Sequence, residues 1–283
     1  DDDISFAYRR LGYRTVLCGD VFVHHEGSTI VGVNQQEHSE NLEKGRILFR
    51  RKYGVDAWSD VVNFEVYLRR ALFERTQMRE NARILGIDVR CGTPLLELRN
   101  TLRENGMNQT VLTAYTTEPQ YWQDLASFCE GGVYCGDIDR LSCKIGDKTY
   151  DYIIMGTYMD CYEDVLPVIR SAAAHLSDGG ALVCKMRNYD VPYDLQEIAL
   201  ALQNMPPRLV QGMYGCETEL LQLPYEVEIY PYMEEVYDLK ERFFAQLREV
   251  EAYQNDAHIR EVFSVERFDA LMTQYAVVLR KRS

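Results

Sequence analysis

Between residues 82 and 186 short apolar runs alternate with longer stretches in which apolar residues recur every three or four positions. Residues 82–88 form one such run, ending on Asp88; Cys91-Gly92-Thr93 reads as a tight turn, and Leu95, Leu96 and Leu98 open a helical stripe. The cadence then repeats. It predicts a strand at 110–113, a helix at 119–128 with Trp122 and Leu125 inward, and a strand at 133–135 that runs into Gly136-Asp137-Ile138-Asp139. A strand at 152–155, a helix at 165–176 and a strand at 181–186 follow, the Gly179-Gly180 pair separating the last two. Apolar runs without alternation suit strands covered on both faces, and strands separated by helices pair in parallel. The expected fold is therefore α/β: a doubly wound, mostly parallel sheet with a lead helix at 61–79 against it.

Outside this block the pattern is less regular. Residues 1–13 carry a helical stripe behind an acidic first turn, closed by Gly12. Short strands are expected at 14–18 and 21–23, delivering His24-His25-Glu26-Gly27-Ser28. Residues 34–54 read as a helix stopped by Gly54, and residues 55–60 as a domain boundary with Trp58 in the core. Past residue 188 a helix at 194–202 and strands at 208–213 and 220–223 are expected. The Tyr- and Glu-rich stretch 226–232 is read as packing or an interaction face, and 236–253 as a long charged helix. A last strand is expected at 276–280.

Composition narrows the possibilities. Hydrophobic residues make up 46% of the 283 and charged residues 27%, the balance of an ordinary globular chain, and no apolar run approaches the roughly 18 residues of a membrane span. A formal charge of −13 with only short basic clusters argues against a nucleic-acid surface. The eight cysteines include no C-x-x-C pair, so zinc spacing is missing, and buried thiols in a reducing cytoplasm are expected. Asp1-Asp2-Asp3-Ile4 has neither an initiator Met nor the features of a leader, so further chain is expected upstream.

The acid-ended strand, glycine turn and helix at 82–100, with Tyr150-Asp151-Tyr152-Ile153-Ile154-Met155 and the strand after Gly179-Gly180, resemble S-adenosylmethionine-dependent methyltransferases of the Rossmann-like class over roughly residues 81–186. The resemblance implies that the last strand, 276–280, runs antiparallel in a terminal hairpin, and that Asp88 and Gly92 meet the methionine part of the cofactor. It implies that the residue ending the second strand, Thr116, faces the ribose, and that Asp137 faces the adenine amino group. Three positions depart from the family pattern. Arg90 and Pro94 stand in place of the first and third glycines, and Thr116 replaces an acid, with Glu118 two residues on as a substitute. No histidine follows the fourth strand to act as a base. Arg90 is expected to bring bulk and charge toward the cofactor, so the domain reads as methyltransferase-like and degenerate.

The N-terminal segment carries a second resemblance. An acid, a helix, Gly12-Tyr13, two short strands and His25-Glu26-Gly27-Ser28 resemble the end of the catalytic domain of family 2 glycosyltransferases of the GT-A type, which often close with a helix ending in Lys-Tyr-Gly, here Lys52-Tyr53-Gly54. The resemblance implies Asp1 as the general base of an inverting transfer, with Asp3 as the second acid of the motif. It implies His25, or His24, beside a divalent metal, manganese or magnesium, that holds the nucleotide diphosphate. The same residues have plainer readings, as a helix cap and a surface histidine pair.

The expected organisation is a short α+β remnant of a GT-A domain at 1–56 and a methyltransferase-like domain at 57–283, from a bacterial-type enzyme of polysaccharide synthesis. Its partners would be a nucleotide sugar and a glycan or protein acceptor. The alternatives are an active methyltransferase acting on a sugar and a non-catalytic docking module.

Overall fold

The computed structural model describes residues 2–13, 15–16, 18–21, 24, 35–187, 223–231, 235–257, 260 and 274–282. Helix α1 (Asp2–Arg10) and helix α2 (Gln35–Tyr53) precede a π-helical turn (Ala57–Val61) and α3 (Val66–Arg75). The alternating block follows as β1 (Arg83–Ile87), α4 (Thr93–Glu104), β2 (Val111–Thr116), α5 (Trp122–Ala126) and β3 (Val133–Cys135). It continues with α6 (Leu141–Ile145), β4 (Tyr150–Tyr158), α7 (Val165–Ala173) and β5 (Leu176–Arg187). The remaining described elements are β6 (Glu226–Pro231), α8 (Glu235–Arg248), α9 (Glu251–Asn255) and β7 (Gln274–Arg280).

The seven strands form one sheet in the order β3-β2-β1-β4-β5-β7-β6. Strands β1 to β5 pair in parallel, and β7 runs antiparallel to both β5 and β6. The order reverses between β1 and β4. That is the switch point at which ligands bind in doubly wound sheets, outside the carboxyl ends of the strands. The sheet is thus doubly wound and mostly parallel, with an antiparallel terminal hairpin, as expected.

Period-two alternation divides the core between the faces. Ile84, Tyr152, Ile154, Ala181, Val183 and Val278 point to the side covered by α3 and α4, where they meet Leu68, Leu72, Leu95 and Leu98. Leu85, Ile87, Ile153, Met155, Leu182 and Val277 point the other way, onto Leu141, Ile145, Ile169 and Ala172 of α6 and α7. Both faces are covered, which is why the strands read as unbroken apolar runs.

The N-terminal helices join the first of these cores. Phe6 stacks on Phe49 and Tyr53 with ring centroids 5.1 and 4.8 Å apart, and all three pack with the residues of α3 and α4. Arg10 grips Asp124 with both arms of its guanidinium, at 2.7 and 2.9 Å, and donates a third bond to the Tyr53 carbonyl at 3.1 Å. Asp124 is fully buried. Asp56, buried at the end of α2, receives Arg46 at 2.6 Å and the amides of Trp58 and Ser59. Burial opposes its ionisation, yet those donors and Arg50 hold it well below the usual carboxylate range.

Several expectations are corrected. Trp58 and Trp122 are 43% and 44% exposed rather than core; Trp58 lies beneath Arg46, whose guanidinium is 5.0 Å from its ring. The lead helix begins at Val66, later than expected, because Asp56 caps the π-helical turn instead. Of the strands expected at 14–18 and 21–23, described residues 15, 16 and 18–21 lie in none; Val16 and Val21 are exposed, so their apolar character buries nothing. The charged helix at 236–253 is interrupted after Arg248. Of the cysteines, Cys91, Cys129 and Cys184 are buried, but Cys18, Cys143 and Cys161 are exposed. The elements expected at 194–202 and 208–213 lie outside the described residues. Among the described residues no helix is long and apolar enough to cross a membrane.

Because Asp124 is sealed in the core against Arg10, Asp124→Ala should cost about 3–5 kcal/mol in urea unfolding, by leaving a half-buried guanidinium without its partner. The paired change Arg10→Met with Asp124→Leu should recover most of that loss. A single-variant loss below about 1 kcal/mol would mean that the pair does not anchor α1.

Candidate functional site

The turn between β1 and α4 follows an unusual backbone path. Asp88, Arg90 and Gly92 take φ of +49°, +51° and +90°, so left-handed residues alternate along five positions. Only at Gly92 is this free of steric cost. A side chain at Gly92 would also run into the Phe128 ring. On the far side of the switch point, a Cβ at Gly156 would come within 2.7 Å of the Asp88 carbonyl oxygen and 2.8 Å of the Val89 Cα. Glycine there lets β4 run directly against the turn.

Asp88 is buried at this point and bridges three elements. Its Oδ1 accepts from the Thr117 amide at 2.6 Å and the Thr117 hydroxyl at 3.0 Å, and its Oδ2 accepts from the Tyr162 hydroxyl at 2.6 Å. Burial, then the neighbouring Asp88 charge, push the Tyr162 phenol far up, so it stays a donor. Neither Thr117 nor Tyr162 was identified from sequence. Thr117 follows a residue expected to be acidic, and Tyr162 lies past the end of the fourth strand with no motif to mark it.

The expectation that Arg90 intrudes is corrected. Its guanidinium donates to the Ser59 carbonyl and lies 3.8 Å from the Asp60 carboxylate, so its charge is partnered by the π-helical turn. That turn is tied to the glycine loop at two further carbonyls. The Asp60 carbonyl accepts from the Cys91 amide at 3.3 Å, and the Val61 carbonyl accepts the Thr93 hydroxyl. Gly92 occupies the N-cap of α4, and Pro94 sits in the first turn, where a missing N–H costs nothing.

Thr116, the expected ribose-facing residue, is fully buried, and its hydroxyl is spent on the backbone of Glu118 at 3.1 Å. Glu118 is exposed at the end of β2, where Gln120 donates to it at 3.0 Å. Partial burial, then Asp88 and Asp60, push its carboxyl above the ordinary value, with Arg90 working against them. Asp137 is exposed after β3, and its carbonyl accepts from Tyr115 at 2.6 Å. Asp88, Glu118 and Asp137 thus stand at the carboxyl ends of three neighbouring strands. The substitution at Thr116 leaves an acid close by in Glu118.

At the same edge of the sheet Lys185 forms a buried pair with Glu65, and its Nζ lies 4.5 Å from the centroid of the Tyr158 ring. The Glu65 amide donates to Glu97 at 2.7 Å. No motif marks this pair in the sequence.

Of the residues carried over from the N-terminal resemblance, Asp3 is engaged away from this site. Asp3 is exposed in the first turn of α1, both of its oxygens 2.8 Å from Lys52. His24 is exposed, and Asp1 and His25 lie outside the described residues. Among the described residues no three His, Cys, Asp or Glu side chains cluster closely enough to hold a metal.

No protein-family model matches the chain, and no curated protein matches it. Solved structures of similar fold do exist. The carbon methyltransferase CurJ aligns at 15% identity and a TM-score of 0.45 over 76% of this chain and 54% of its own. A plantazolicin methyltransferase, BpumL, in complex with a monoazolic desmethyl analogue and SAH, aligns at 12% identity and 0.43 over 100% and 98% of the two chains. An S-adenosylmethionine-dependent methyltransferase from Archaeoglobus fulgidus aligns at 18% identity and 0.43 over 83% and 99%. The fold assignment rests on the strand order itself.

The raised carboxyl of Glu118 fixes the sign of one effect. Folding disfavours its ionised form, so it costs no stability below the unfolded-state value and the full cost once the pH exceeds its folded value. Glu118→Gln should therefore raise the melting temperature at pH 7 and leave it unchanged near about pH 4, where the unfolded carboxyl is largely protonated. An equal shift at both pH values in scanning calorimetry would show that the charge is not the cause.

Proposed function

We propose that the sheet domain is an S-adenosylmethionine-dependent methyltransferase acting on a sugar-bearing acceptor. The observation that carries this reading is the row of carboxylates at the switch point, Asp88, Glu118 and Asp137, with the Arg90 charge drawn onto Ser59 and Asp60. Carboxylates suit a ligand that presents a sulfonium or ammonium cation, ribose hydroxyls and an exocyclic amine, since all of these either carry positive charge or donate hydrogen bonds. Bound there, the cofactor would supply a methyl group activated by the positive sulfur.

This chain's residues would divide the remaining work. Asp137 would accept from the adenine amine and Glu118 from the ribose. Asp88, held by Thr117 and Tyr162, would keep the turn in place and face the cationic end of the ligand. The π-helical turn would hold the Arg90 guanidinium clear, which a glycine at that position achieves by having no side chain. Positioning of this kind contributes to rate by fixing the reacting groups before they meet.

The sugar acceptor is inferred from residues 1–56, which resemble the end of a family 2 glycosyltransferase. A second reading, glycosyl transfer by a longer enzyme with Asp1 as base and a divalent metal beside His25 or His24, draws support from α1 and α2. Each is followed by a left-handed glycine, Gly12 or Gly54, at the places where that resemblance has its Gly-Tyr and Lys-Tyr-Gly.

Calorimetric titration of this chain with S-adenosylmethionine and S-adenosylhomocysteine should give micromolar isotherms within about tenfold of each other, since Arg90 presents no unpaired charge to the sulfonium. Asp137→Ala should weaken both about tenfold, equivalent to about 1.4 kcal/mol. Absence of heat with either ligand at millimolar concentration would sink the reading.

A further inference from the structure

At the amino edge of the sheet, opposite the switch point, a serine and a histidine meet in a fixed geometry. His175 lies between α7 and β5 and is 6% exposed; its carbonyl accepts from the Tyr150 amide at 2.8 Å, which ties it to the first residue of β4. Its Nδ1 is 2.9 Å from the Lys148 carbonyl oxygen and its Nε2 is 3.1 Å from the hydroxyl of Ser142, an exposed residue in the first turn of α6. Ser142 in turn lies 2.9 Å from the Ser171 hydroxyl.

The direction of each bond follows from what each atom can do. A carbonyl oxygen only accepts, so Nδ1 must carry a proton. In the neutral ring Nε2 then has only a lone pair, and the Ser142 hydroxyl must donate to it. Ser142 Oγ keeps its own lone pairs, one accepting from Ser171 and one directed to solvent. An exposed hydroxyl donating to an imidazole whose far nitrogen is held by a third group is the arrangement that activates a serine nucleophile.

We propose that Ser142 is an acyl-accepting nucleophile with His175 as its base, acting on small activated carboxylic esters such as aryl esters, which can reach an open surface. In the first step the Oγ–acyl carbon bond forms while the hydroxyl proton passes to Nε2. The bond from the acyl carbon to the leaving oxygen breaks, and the alcohol departs with that proton. Water then attacks the acyl carbon and gives its proton to Nε2. The Oγ–carbon bond breaks, and the proton returns to Oγ. No oxidant, metal or cofactor enters the balance, and the switch-point site takes no part.

Labelling of the whole chain with a fluorophosphonate, followed by intact mass measurement and peptide mapping, tests this. The expected result is one adduct on Ser142, formed at least about tenfold faster on the native than on the urea-unfolded chain, absent in Ser142→Ala and retained in Cys143→Ala. His175→Gln should slow labelling about a hundredfold, the contribution of a lost general base. Should that variant not fold, the contrast between the native and unfolded chains decides alone. No native adduct, equal rates in the two states, or an adduct on another residue would overturn the proposal.

Discussion

Asp88, Arg90 and Gly92 all sit at positive φ, and the carboxyl edge of the sheet takes its form from that path. A non-glycine residue in the left-handed region costs on the order of 1 kcal/mol, so two such residues in one turn must be held by their surroundings. They are: the Asp88 carboxylate takes three donors from two other loops, and Arg90 reaches the π-helical turn. The near contact at Gly156 closes the fourth side. The same contacts that offset the strain also decide where the acids at the strand ends stand.

Ion pairs sit at the joints between elements. Arg10 and Asp124 join α1 to α5, Arg46 and Asp56 join α2 to the π-helical turn, and Lys185 and Glu65 join β5 to the approach to α3. Buried pairs of this kind add little net stability, because desolvation consumes most of the attraction. Their effect is on arrangement, since a misplaced segment leaves a charge buried without its partner. With Phe6 and Phe49 inside the core of the sheet domain, the N-terminal helices and the sheet form one packed body.

Much of the fold was legible because apolar runs of strand length are diagnostic when both faces of a sheet are covered. The runs around Ile84, Ile153 and Leu182 each fall in a strand, as does the final run at 276–280, whose antiparallel direction followed from the methyltransferase resemblance and not from its residues. Where chemistry depends on a side chain's reach, the sequence was silent. Nothing local distinguishes Tyr162 or Ser59 from their neighbours, since their roles come from contacts 74 and 31 residues away. Arg90 misled for the same reason: a residue type in a glycine position shows its bulk, but only the fold shows its direction. Trp58 misled because a large aromatic can be useful at half exposure, as a platform for the Arg46 guanidinium.

The π-helical turn at Ala57–Val61 carries one residue more than an α-helical turn would need to cover the same rise. Three consecutive carbonyls of this turn, of Ser59, Asp60 and Val61, accept from the glycine loop. Successive residues of a helical turn point in different directions around its axis. Deleting a single residue between Asp56 and Val62 would therefore not merely shorten the segment; it would swing those carbonyls off the loop while leaving the composition of the chain almost untouched. Length in this stretch is as constrained as identity, so chains of this architecture should tolerate substitution there more readily than insertion or deletion.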